Sequence, residues 1–176
     1  MVKTIRKTRV SALALLLVVS GCITKSNSLQ GEIYSNSHSE VRRNSVFILV
    51  PPRSGDFLED QIASQVEAVF VDHGYVPRIR RSQTEIAINY RYDEEDGRLF
   101  FAIEIIDYKR TMVTKAKVKM WEGLIVARVS KENMLHLAKP LTELLIAQIN
   151  LNNRQKKFSL QIQKEELSRP KSERGT

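Results

Sequence analysis

Hydrophobic residues in this chain come in unbroken runs, in helical repeats and in strict alternation, and each pattern predicts a different element. The first run, Val10–Val19, follows four basic residues, Lys3, Arg6, Lys7 and Arg9, and no acidic one. It is about half the ~20 apolar residues that a membrane-crossing helix needs. From Ile23 to Asn44 apolar periodicity fades and Ser and Asn dominate (Ser26, Asn27, Ser28, Ser35, Asn36, Ser37, Ser39), which predicts a flexible tether spanning roughly 26 Å. Val46–Val50 is a second apolar run, stopped by Pro51-Pro52, and reads as a buried strand. Asp56 followed by Glu59 fits a capping box. Leu58, Ile62, Val66, Val69 and Phe70 then recur at helical spacing until Gly74.

Alternation takes over at Glu85–Tyr92, with Ile86, Ile88, Tyr90 and Tyr92 on one face. Asp93–Gly97 makes a turn and Leu99–Ile106 returns as an antiparallel strand. A strand region runs from about Thr114 to Arg128, too long for one ordinary strand, so Gly123 is the expected bulge. Ser130 caps a last helix with Leu137, Leu141, Leu144, Leu145 and Ile149 on its apolar face, and Pro140 kinks it or opens another. The polar stretch 152–176 has no clear period and is expected to be disordered. The order β-α-β-β-β-α predicts an α+β two-layer sandwich: a four-stranded, mostly antiparallel sheet with two helices on one face. The expected folded domain is thus 45–151.

The N-terminus combines a charged n-region, a short h-region and small residues before a cysteine, Val19-Ser20-Gly21-Cys22. Cys22 is the only cysteine in the chain. This resembles a bacterial lipoprotein signal with its lipobox, residues 1–21 being removed. The resemblance implies that Cys22 carries a diacylglyceryl thioether and an N-acyl chain, anchoring the protein in the membrane. Multiple acyl chains hold stably where a single one does not. In that class an Asp after the cysteine retains proteins at the inner membrane, and Ile23 stands there. The resemblance therefore implies the outer membrane, periplasmic side.

Net charge changes the picture less than it first promises. The chain carries 28 Lys+Arg against 20 Asp+Glu, a formal charge of +8. The signal segment holds four basic residues, and 152–176 holds seven basic against three acidic. The span 22–151 is left with 17 of each, net zero. The basicity belongs to the two ends, and nucleic acid is not an expected partner.

Catalytic chemistry is sparse. His38, His73 and His136 lie far apart in sequence, and no Gly-x-Ser-x-Gly, His-Glu-x-x-His or phosphate-loop pattern occurs. The acids Asp93–Asp96 miss the EF-hand spacing, since Tyr92 stands where the first Asp is needed. Asp96-Gly97 is instead a favoured hairpin dipeptide. No enzyme, cofactor or metal site is expected. Lys115, Lys117, Lys119 and Trp121 alternate within the long strand region, so all four are expected on one side. That stripe reads either as a lysine-guarded edge or solvent face, or as a cationic site for an anionic lipid or glycan phosphate. Arg78, Arg80 and Arg81 form a second basic group, read as a solvated loop.

Element order, lipobox and Trp121-Glu122-Gly123, similar to a recurring Trp-x-Gly-like motif, resemble small outer-membrane lipoproteins with domains of unknown function. The element order also resembles the lipopolysaccharide-assembly lipoprotein. The aromatic, basic, Gly-containing segment that follows the cysteine in that group is replaced here by Ile23-Thr24-Lys25-Ser26. By architecture the chain further resembles the lipoprotein activators of peptidoglycan synthases. These resemblances imply a non-enzymatic adaptor or assembly factor with a protein partner in the cell envelope. The alternative they leave open is a carrier or chaperone for an anionic envelope lipid such as lipopolysaccharide.

Overall fold

The computed structural model describes residues 28–52 and 57–161. Its strands are β1 (Ser28–Ser37), β2 (Val46–Val50), β3 (Val76–Pro77), β4 (Ile86–Glu95), β5 (Arg98–Asp107), β6 (Lys119–Ala127) and β7 (Asn153–Gln161). Its helices are α1 (Phe57–Asp72), α2 (Tyr108–Thr114) and α3 (Met134–Ile146). The seven strands form one mixed sheet in the order β3-β2-β4-β5-β6-β1-β7, in which β2 runs parallel to β3 and β4 and the other pairs are antiparallel.

The four-stranded sheet with two helices expected from the hydrophobic pattern is therefore corrected to seven strands and three helices among the described residues. The additional strands lie where composition hid them. β1 falls inside the segment expected to be a tether, and β7 inside the one expected to be disordered. In β1 the alternation is carried by Leu29, Gly31, Ile33 and Ser35, of which only two are strongly apolar. Leu29 and Ile33 are nonetheless buried. Gly31 is needed because a β-carbon there would strike the Val126 carbonyl and the Phe158 ring, so glycine lets β7 lay Phe158 across β1. Polar ties secure the same two segments. Asn150 exchanges a pair of hydrogen bonds with the backbone of Val41, donating at 2.9 Å and accepting at 2.8 Å. The Ser35 hydroxyl donates to the Leu151 carbonyl at 3.0 Å and accepts from Asn153 N–H at 3.2 Å.

Elsewhere local chemistry accounts for the elements. β4 and β5 join through Asp96 and Gly97, both at positive φ (51° and 68°), the geometry of a tight hairpin turn. Gly74, at φ 90°, ends α1, and His73 Nδ1 donates to the Val69 carbonyl at 2.8 Å. The capping pair expected at Asp56 and Glu59 falls partly outside the described residues. Asp107 caps α2 by accepting from Arg110 N–H at 2.8 Å. Pro140 lies inside one continuous α3. The irregularity in β6 is at Met120, not at Gly123. Ile105 faces Trp121 and Ile106 faces Lys119, so Met120 is the extra residue. Gly123 keeps regular register and is small because the Trp121 indole and the Leu145 side chain lie over it.

α1 and α3 pack side by side on one face of the sheet. Ile62, Val66 and Phe70 from α1 and Leu137, Leu141 and Leu145 from α3 close over Ile88, Phe101, Ile105, Trp121 and Ile125. Trp121 is fully buried and donates from Nε1 to the Gln148 carbonyl at 3.1 Å. At the α1 start, the buried Glu59 carboxylate accepts from the hydroxyls of Tyr90 and, at 2.9 Å, Tyr92, tying the helix to β4. Burial, then the adjoining carboxylate, push the Tyr90 hydroxyl far above its ordinary range.

The described strands and helices extend over 28–161, and a fragment covering 45–151 lacks two strands. It would leave β6 as an edge over Trp121 and expose apolar surface at about 25 cal/mol per Å². Thermal circular dichroism should show one cooperative transition for 28–161 and a broad, early or absent one for 45–151. Matching transitions for both fragments would contradict this assignment.

Candidate functional site

Only one face of the sheet carries α1 and α3; the other presents its side chains in cross-strand rows. Asn89 of β4, Glu104 of β5, Glu122 of β6 and Asn36 of β1 stand side by side in register. The next row is Arg91, Ala102, Leu124 and Tyr34, and the one beyond is Asp93, Phe100, Val126 and Glu32, with Lys157 of β7. Ala102, Leu124, Tyr34, Phe100 and Val126 are half-buried on this face. The two nearer rows, closed off by Asn152, Asn153 and Arg154, form a groove of about 860 Å³. Ligand pockets commonly fall within about 300–1,000 Å³.

Electrostatics along the first row are self-contained. Lys119 Nζ bridges both carboxylates, 3.3 Å from Glu104 and 2.7 Å from Glu122. Lys117 pairs with the second oxygen of Glu104, to which Asn89 Nδ2 also donates at 3.3 Å. His38 Nε2 stands 3.7 Å from Glu122. Burial pushes the Glu104 carboxyl up, but bonds from Lys117, Asn89 and Lys119 outweigh it and hold the group below its ordinary 4.5. The bond from Lys119 is the main cause that lowers Glu122. Tyr34 of the second row donates to Glu32 of the third at 2.6 Å and lowers its carboxyl, helped by Gln155 at 2.8 Å.

The expected stripe of Lys115, Lys117, Lys119 and Trp121 is not assembled. Lys115 ends α2 in the left-handed conformation (φ 58°) and lies outside any strand. Lys117 precedes β6. The extra residue at Met120 breaks period two, so Lys119 joins Glu104 and Glu122 on the open face while Trp121 enters the core. Two of the four, Lys117 and Lys119, thus line the groove, but as partners of carboxylates rather than as a row of unmatched cations. Cys22 lies outside the described residues. Tyr34, Asn36 and Arg154 line the groove from the two strands that composition concealed, and only the weak alternation of β1 could have pointed to them. The acids Asp93 and Glu94 sit in the β4 strand and only Asp96-Gly97 makes the turn. Among the described residues, no three His, Cys, Asp or Glu side chains are grouped as metal ligands would be, and no helix is long and apolar enough to cross a membrane.

No family model and no curated protein matches the chain. Among solved structures, a PDZ domain protein from Parabacteroides distasonis superposes with a TM-score of 0.54 at 15% identity, covering 76% of this chain. This chain spans 39% of that protein's length, and the likeness is one of fold. The PelC dodecamer from Paraburkholderia phytofirmans gives a TM-score of 0.40 at 12% identity over 70% of this chain and 99% of its own, too low to weigh.

Because Glu104 and Glu122 are lowered in the folded state, each stabilises the domain above the unfolded carboxyl value of 4.5 and loses that contribution as pH falls through its folded value. Melting temperature should therefore be steady near neutrality and drop below about pH 4.5. In Glu104→Gln the drop should shrink, measured as melting temperature against pH. An identical acid limb in parent and variant would exclude the network as its source.

Proposed function

We propose that this protein is a lipid-anchored adaptor on the periplasmic side of the bacterial outer membrane, binding an envelope protein through the open sheet face. The observation that carries the reading is that face itself. It is a groove of about 860 Å³ in which half-buried Tyr34, Ala102 and Leu124 lie beside the polar row Asn89, Glu104, Glu122 and Asn36. Apolar contact area next to hydrogen-bonding groups is a composition that protein interfaces use. The lipobox-like segment ending at Cys22 supports the anchor. The absence of recognisable catalytic motifs from the sequence supports a binding role.

The ion pairs weigh against the second reading, a carrier for anionic lipid. An anionic headgroup arriving at Lys117 and Lys119 would have to displace Glu104 and Glu122, which already occupy them. These pairs match the charge of Lys117 and Lys119, leaving Arg91 and Arg154 as the groove bases that no carboxylate pairs among the described residues.

A photo-crosslinking residue at Tyr34, in cells, should capture a discrete protein partner, and Leu124→Arg should abolish the adduct while leaving the melting temperature within about 0.5 kcal/mol equivalent, as expected for a surface change. The anchored reading also requires Cys22→Ser to move the protein out of the membrane fraction. Adducts to lipid or lipopolysaccharide in place of protein would favour the carrier, and an adduct unaffected by Leu124→Arg would place the partner elsewhere.

A further inference from the structure

The distance between membrane and domain is set by where β1 begins. Composition predicts a tether over 23–44, but β1 starts at Ser28, so five residues separate it from Cys22. At about 3.3–3.6 Å per residue fully extended, the anchor lies no more than about 20 Å from the sheet. Ser28 stands opposite Gln161, so β1 begins and β7 ends at one corner. Resting on the reading of Cys22 as the lipid anchor, we infer that this β1/β7 corner is held at the bilayer surface, with the phospholipid headgroup layer as its contact partner.

The chemistry of the corner suits hydrated headgroups rather than insertion. Ser28, Gln30, Ser159 and Gln161 are all exposed and polar. Arg98, Arg128 and Lys157 line, together with Glu32, an adjoining hollow of about 650 Å³ on the open face, three bases against one acid. Those bases can meet lipid phosphate. The acidic hairpin end, Glu95 and Asp96, is level with Arg98, so charge alone does not dictate the orientation; the covalent reach does. The opposite end of the sheet is formed by Ser37, the start of β6 and α2, roughly 30 Å farther along β1 at about 3.3 Å per residue. Tyr34 lies six residues from Ser28, about 20 Å by the same rise. The groove is therefore confined to within roughly 40 Å of the anchor, the sum of the two spans. A partner that fills it has to reside in, or reach down to, the same membrane.

The test uses the full mature protein, in which Cys22 is the only native cysteine and is blocked when acylated, so an introduced thiol can be labelled alone. Gln161→Cys marks the corner and Val113→Cys, in α2 and 82% exposed, marks the far end. Each carries an environment-sensitive fluorophore in phosphatidylethanolamine–phosphatidylglycerol vesicles containing a headgroup nitroxide quencher. Quenching should be several-fold stronger at position 161 than at 113, and inserting about ten Gly/Ser residues before Ser28 should level the two by lengthening the reach. Equal quenching in the parent would overturn the placement with the anchor intact. A contrast that survives the insertion would overturn the short reach as its cause. If the mature protein does not float with vesicles and its N-terminal mass lacks acyl chains, the anchor reading itself fails and the placement falls with it.

Discussion

The position of β1 between β6 and β7 is the constraint on which the rest of this molecule depends. It pairs along Gly31–Ser37 with β6 and along Ser28–Ser35 with β7, with a slip between Ile33 and Ser35. Through those pairs it extends the sheet over the far side of Trp121 and adds Leu29 and Ile33 to the core. The backbone groups of β6 that would otherwise form a long edge, open to pairing with other chains, are satisfied within the domain. β7 has nothing to pair with unless β1 is in place. A strand drawn from the extreme N-terminal part of the folded span thus completes a sheet whose other members come later in the chain.

The open face follows from the same arrangement. β1 supplies Tyr34 and Asn36, β7 the basic margin, and both helices that pack on the sheet cover the opposite side. The bulge at Met120 decides which residues reach that face, since it turns Lys119 toward Glu104 and Glu122 while Trp121 turns inward. The charges of Lys117 and Lys119 are then matched by Glu104 and Glu122. The span 28–161 carries 19 basic and 17 acidic residues, so as a whole it lacks the strong positive charge that the full chain's +8 suggests.

Much of the middle of the fold was legible in the sequence. The apolar run at Val46–Val50, the helical spacing from Ile62 to Phe70, the alternation of Ile86, Ile88 and Tyr90, and Asp96-Gly97 all correspond to elements, because in each one physical period dominates. β1 and β7 were not legible for a physical reason. Their inward positions mix Leu29, Ile33, Phe158 and Leu160 with Gly31, Ser35 and Asn153, which serve close approach and hydrogen bonding, so each hydrophobic stripe is interrupted. α2 was obscured because Tyr108–Thr114 is short and its capping depends on Asp107, the last residue of a strand. The lysine–tryptophan stripe was misread because a single inserted residue reverses every side chain beyond it. That insertion leaves no mark in composition. The groove is not legible in the sequence because six of its seventeen lining residues lie in the polar segments 23–44 and 152–176.

The most direct measurement is amide hydrogen exchange along 28–37 in the native protein. Since β1 has a hydrogen-bonded neighbour on each side, its amides should be protected about as strongly as those of β5 and β6, approaching the global opening free energy. Protection at Ile33 and Ser35 comparable to that at Ile125 is the result this account predicts. Exchange at the unprotected rate throughout 28–37, with β5 and β6 still protected, would contradict it.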